Sequence, residues 1–248
     1  SAASDVYKRQ GLYNAVQSAI HFKSEIRGIA PLLSEDGRIT KEISAELNKM
    51  SANSLKWSQK YGISTHSINA TMTELARRGF TARQVLGSMP AILNATRASG
   101  ESLEVVMQAS ASAIEMFGLK ANTTSQQIKN TNRVVDVLTA VANKTASSFE
   151  DISAGMMYVG PTAAQAHMKI EQVAAALGAL SNRGIEASTA GTTLRQVLTK
   201  LTTDTKKNRA NMRAIGVDID QIKKKGIDLP SLIDRINRKL KDKTPTER

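Results

Sequence analysis

Moved along itself by 105 residues, this chain of 248 residues meets a copy of its own pattern. Ile68, Met72 and Leu75 fall on Val173, Leu177 and Leu180; Arg78-Gly79-Phe80 falls on Arg183-Gly184-Ile185; Met89, Ile92 and Leu93 fall on Leu194, Val197 and Leu198. Spacings of three and four residues put each apolar set on one helical face. The arginine sits where the negative end of a helix dipole favours a cation, and the glycine where the chain leaves a helix through the left-handed region. The pattern predicts a helical hairpin that occurs twice, in a core of stacked helices. The two units also end alike, Phe117-Gly118-Leu119 against Ile215-Gly216-Val217, at a different offset. Amphipathic helices resemble one another in general; the shared Arg-Gly-apolar corner is what favours duplication.

Composition agrees with an all-α chain. Hydrophobic residues make up 41% but aromatics only 4%, so small and aliphatic side chains must fill the interior. That suits close helix packing better than a β-sandwich, which draws on aromatic and β-branched pairs. There are only 5 prolines. Cysteine is absent, which excludes disulfides and thiolate metal sites. The apolar run Val173–Leu180 is far too short for a membrane span. Start and stop signals recur along the chain: Thr40, Ser64, Thr81 with Gln84, and Thr123 with Gln126 open helices, while Gly62, Gly79, Gly100, Gly118, Gly184 and Gly216 close them. Pro90 falls inside one helix and is expected to kink it. Val217–Leu229 alternates apolar and polar residues and reads as a small hairpin or an irregular loop.

The stretch Thr145–Ala166 has a start, a face and a stop. Ser147 with Glu150 three residues on is a capping-box pattern. Phe149, Ile152, Met156 and Val159 share a face, and Gly160-Pro161 is expected to end the helix. Glu150-Asp151 is a carboxylate pair, but first-turn acids favour the helix dipole, so capping explains it better than acid–base chemistry.

This stretch also carries a resemblance. The run SFED…YVGP, followed by AAALGALSNRGIEASTAGTTLRQVL, resembles the core region of phage tail tape measure proteins, and the likeness extends from about Leu55 to the end of the chain. The residues that carry it (Ser147, Phe149, Glu150, Tyr158, Gly160, Pro161, Gly184 and Gly191) are structural in type. The resemblance implies a virion structural protein that sets tail length, occupies the tail tube until DNA ejection, and is assembled in the host cytoplasm. It implies tail-tube protein, tail-assembly chaperones and tail-tip proteins as partners, besides self-association. It implies no enzymatic activity and no cofactor.

The residues themselves offer little chemistry. His21, His66 and His167 read as isolated, which argues against zinc. No phosphate-cradling glycine loop and no nucleophile elbow occurs. The net charge is +12, and Arg195–Arg248 holds 15 Lys and Arg against 7 Asp and Glu, a net of +8. Such a basic end suits nucleic acid, anionic lipid or an acidic protein wall. With few aromatics and no recognised binding motif, a solvated helical face is the stronger reading, and nucleic-acid binding the alternative. The chain divides by pattern into 1–38, 39–217 and 218–248. The first part opens on SAASDVYKRQ, which reads as translated adapter sequence and not as a natural domain start, and continues as a weakly structured segment in which Leu12–Leu33 is weakly periodic and reads as helical. The second is the helical core, and the third a basic loop and helix. Thr244-Pro245-Thr246-Glu247 carries the signs of a helix start, so the protein is expected to continue past Arg248.

Overall fold

The computed structural model describes residues 2–241. Among them every regular element is a helix. In order these are α1 (Ala2–Arg27), α2 (Ala30–Leu33), α3 (Lys41–Tyr61), α4 (Thr65–Arg77), α5 (Ala82–Ser99), α6 (Leu103–Met116), α7 (Thr124–Lys144), α8 (Phe149–Gln165), α9 (Ile170–Asn182), α10 (Ala187–Thr202), α11 (Lys206–Ala214), α12 (Ile219–Lys225) and α13 (Leu229–Lys241). Contacts divide the chain into two units, Ser1–Met107 with Ala121–Asn132, and Gln108–Lys120 with Arg133–Arg248. The suspected helix start at Thr244 lies outside the described residues.

Each unit holds one copy of the repeated hairpin, in register. Helix α4 starts at Thr65 and α9 at Ile170; α4 ends at Arg77 and α9 at Asn182; α5 starts at Ala82 and α10 at Ala187. All three pairs differ by the same 105 residues. The corners match bond for bond. Phe80 N–H donates to Leu75 O at 3.1 Å and Gly79 N–H to Ala76 O at 2.9 Å; Ile185 N–H donates to Leu180 O at 3.2 Å and Gly184 N–H to Ser181 O at 2.9 Å. Gly79 and Gly184 carry the left-handed turn with φ of 89° and 81°. This paired exit satisfies carbonyls that the helix end would otherwise leave open.

The repeat reaches one helix further upstream than the sequence pattern alone revealed. Gly62, closing α3, has φ 65°, and the residue 105 further on, His167, closing α8, has φ 55°. His167 is the one non-glycine among the described residues with positive φ. Met168 N–H donates to Ala163 O at 2.9 Å and His167 N–H to Ala164 O at 3.0 Å, so a histidine does there what glycine does elsewhere. Helices α3 and α8 are therefore equivalent in register.

The two copies solve the same packing problem differently. In the first, buried Ser54 on α3 donates its hydroxyl to buried Asn69 Oδ1 on α4 at 2.6 Å. In the second, the same two places hold Val159 and Ala174, both fully buried. A buried hydrogen-bonded pair and a buried apolar pair are alternative fillings of one site.

Several local expectations change. Helix α8 does not stop at Gly160-Pro161 but runs on to Gln165. Pro161 is exposed. Its missing N–H orphans only the carbonyl four residues back, that of Met157, on the solvent face of the helix. The N-cap of α8 is Ser148, not Ser147: Ser148 Oγ accepts from Asp151 N–H at 3.0 Å, and Asp151 Oδ2 accepts from Ser148 N–H at 3.0 Å. Ser147 is buried, with its N–H on Thr145 Oγ1 at 3.2 Å. Residues 219–225 form α12 where a hairpin or loop was expected; Asp218 caps it, and Ile219 and Ile222, three apart, are both buried. The caps at Thr40, Ser64 and Thr81 stand as the sequence indicates, Thr81 and Gln84 forming a full capping box. Helix α5 continues through Pro90.

Because the Val159–Ala174 pair shows an apolar filling in the same register, Ser54→Val with Asn69→Ala is expected to keep stability within about 1 kcal/mol of the parent. Asn69→Ala alone leaves the buried Ser54 hydroxyl unpaired and is expected to cost about 1–3 kcal/mol. Urea unfolding of the three variants checks both values.

Candidate functional site

Small residues let α8 and α10 approach to backbone contact. A Cβ placed on Gly191 of α10 would lie 2.3 Å from the carbonyl oxygen of Gly155 on α8 and 3.0 Å from the Gly155 Cα. A Cβ on Gly155 would meet Ala187 O and the Leu177 side chain at 3.0 Å. At the equivalent places in the first unit stand the bulkier Met50 and Leu86. Glycine recurs around this centre. A Cβ on Gly160 would sit 2.8 Å from Met116 Sδ, and one on Gly178 2.7 Å from Val141 Cγ1. The predicted inner face of α8 is in place: Phe149, Ile152, Met156 and Val159 are all buried. Burying such side chains contributes about 1.5–3 kcal/mol each.

The opposite faces of these helices are open. Met157 and Tyr158 on α8 are 69% and 45% exposed, and Val197 on α10 is 46% exposed. Tyr158, Ser188, Thr189, Thr192, Thr193 and Gln196 line a shallow groove of about 260 Å³. In the first unit the matching face of α5 is covered. Gln84, Ser88 and Ile92 are buried, with Gln84 Nε2 3.5 Å from Ala121 O, the Ser88 hydroxyl 3.4 Å from Thr131 Oγ1, and Gly87 accommodating Ile128. Their counterparts on α10, Thr189, Thr193 and Val197, face solvent. The second copy thus exposes a helix face that the first copy covers with residues of α7.

The remaining motif residues play structural parts. Glu150 and Asp151 stand in the first turn of α8, where acids offset the helix dipole. Gly184 makes the α9–α10 corner, and Gly191 the backbone contact. The end of α8 also receives the chain after α12: Ile227 N–H donates to Ala166 O at 3.3 Å, and a Cβ on Gly226 would lie 3.1 Å from His167 Cβ.

The basic C-terminal part spends some of its charge internally. Asp204 accepts from both Arg209 and Lys223, and Arg209 Nη1 donates to Asp220 Oδ2 at 2.8 Å. Lys223, Lys224 and Lys225 form the last turn of α12 and not a loop. The Arg209 guanidinium, then the Lys223 ammonium, hold the Asp204 carboxyl well below the usual aspartate range. Arg209 also lowers Asp220. Elsewhere in this unit Arg133 grips Glu171 with two bonds of 2.5 and 2.7 Å, lowering the glutamate.

One reading of the sequence needs correction. His21 and His66 are not isolated. His21 and Glu25 are one turn apart on α1, and α4 brings His66 Nδ1 to 2.9 Å from Glu25 Oε2. The His21–Glu25 spacing of four was a visible signal; the arrival of His66 from 41 residues away was not.

Residues 51–248 match the family model described as phage-related minor tail protein. The chain belongs to that family. The chain is 31% identical over 172 residues to the tape measure protein of Pneumococcus phage Dp-1, covering 69% of this chain and 14% of that protein. It is 31% identical over 145 residues to the probable tape measure protein of Escherichia phage P2, covering 58% of this chain and 17% of that protein. The chain therefore spans about a sixth or less of the curated relatives it matches. No solved structure matches it. Membership makes the chain part of a structural protein of the phage tail. Among the described residues no helix is long and apolar enough to cross a membrane.

Gly191→Ala is expected to destabilise by at least about 2 kcal/mol, since a methyl group must displace backbone. Gly160→Ala presses only on the flexible Met116 side chain and is expected to cost less than about 1 kcal/mol. Thermal unfolding separates the two. For the acidic pair, the sign follows from the lowered Asp204: its contribution is complete above the ordinary aspartate value of 3.8 and is lost only as pH falls through the lower folded value. The side-chain carboxyl signal of Asp204 in a pH-resolved NMR titration is expected to hold steady from pH 7 to about 4. With Lys223→Gln it is expected to change at a higher pH than in the parent.

Proposed function

We propose that the chain is a folded module of a tape measure protein, the virion component that sets tail length and lies in the tail tube until DNA is ejected. The observation that carries this reading is the 31% identity to two phage tape measure proteins, over most of the chain in one case. A helix rises about 1.5 Å per residue, so a long helical chain converts its length directly into distance. This segment differs from such a rod: short hairpins, glycine contacts and closed corners support a role in assembly or at a tail terminus over a role as the measuring rod. In this reading residues 39–217 are the core of the module. The open face around Tyr158, Thr193 and Val197 meets a tail-tube, tail-tip or chaperone protein, or a second copy. The reading includes no catalysis and no cofactor. The alternative, nucleic-acid binding, loses support from the pairing of Arg209 and Lys223 with acids of the same chain.

An in-frame deletion of Thr145–Leu201 in the parent gene is expected to block tail assembly or alter tail length in electron micrographs. Tails of normal number and length would overturn the assignment.

A further inference from the structure

We propose that His21, Glu25 and His66 form a binding site for a divalent transition-metal cation of the zinc class, pinning the end of α1 to the start of α4. The three side chains come from two helices that pack in the same unit. His21 and Glu25 lie one turn apart, on one face of α1. His66 sits in the first turn of α4. His66 Nδ1 is 2.9 Å from Glu25 Oε2, and His21 Nε2 is 3.5 Å from Glu25 Oε1. The imidazole rings lie 6.1 Å apart, near parallel. One ligand atom from each residue can be chosen so that all lie within 4.8 Å of one another.

These separations suit shared coordination. Bonds of about 2.0–2.1 Å to a tetrahedral zinc place neighbouring donors about 3.3 Å apart. The two measured separations to Glu25 bracket that value, so small rotations of exposed imidazoles would close the site. Two imidazoles and a carboxylate are a known zinc donor set, and imidazole also suits copper and nickel. Remaining positions would go to water. Accessibility is divided usefully: both histidines are exposed, where an ion can reach them, while Glu25 is 17% exposed and fixed beside buried Ile26. A carboxylate lying between two imidazoles holds their nitrogens converged before any ion arrives, which lowers the ordering cost of binding.

The test uses the full chain without a histidine tag. Zinc is titrated by calorimetry, and cobalt by its visible absorption, into the parent and into His21→Ala, His66→Ala and His167→Asn, each checked for helicity by circular dichroism. The expected result is one ion per parent chain. Affinity should fall at least about a hundredfold in His21→Ala and His66→Ala, since losing a direct ligand costs no less than losing its supporting neighbour. His167→Asn should bind as the parent does, because His167 belongs to the other unit and asparagine tolerates its left-handed backbone. Zinc should also slow proteolysis within α1 of the parent and not of His66→Ala. No saturable uptake by the parent, or uptake that survives His66→Ala, would overturn the site.

Discussion

The second unit depends on one contact, the backbone of Gly191 against the backbone of Gly155. A side chain at Gly191 would force α8 and α10 apart, because the space there is filled by the peptide of Gly155 and not by movable atoms, while one at Gly155 would press on Ala187 O and the Leu177 side chain. With the two helices touching, Leu177 of α9 closes over Gly155, and Met116 and Val141 reach Gly160 and Gly178. In a chain with only 4% aromatics, a core without bulky rings is dense where helices come this close; the small residues substitute proximity for bulk. The first unit takes the other route, with Met50 and Leu86 at the matching positions and Trp57 buried nearby on α3.

The helical class, the hairpin corners and most caps were readable in the sequence because their causes are local. Arg-Gly-apolar after an amphipathic run specifies a left-handed exit whatever surrounds it, and both copies adopt it. The misreadings came where tertiary context overrode a local sign. Pro161 reads as a terminator, yet on a solvent-facing edge it orphans a carbonyl that water can reach, so α8 continues. Ser147 and Ser148 are adjacent and both have an acid three residues on; burial of Ser147 against Thr145 leaves the cap to Ser148. The alternation after Val217 suggested strand, but two isoleucines three apart gave the chain a buried helical face to use. His167 carried no sign of a left-handed residue, and only its register with Gly62 explains it.

The candidate site was legible in part. Gly184 and Gly191 stood out by sequence only as motif residues; in the fold Gly184 makes the α9–α10 corner and Gly191 lies against the backbone of Gly155. The exposure of Tyr158, and of the α10 face behind it, was not legible, since a face is open only relative to whatever fails to cover it. Comparing the two copies supplies that missing reference: α5 shows the same face with α7 residues laid upon it.

The paired hydrogen bonds at Gly79 and Gly184 have a kinetic consequence. They join helices that are neighbours in sequence through corners of a few residues, so much of each unit is made of short-range contacts. Contacts between sequence neighbours cost less loop-closure entropy to re-form than contacts between distant residues, so each hairpin can close before its unit is complete.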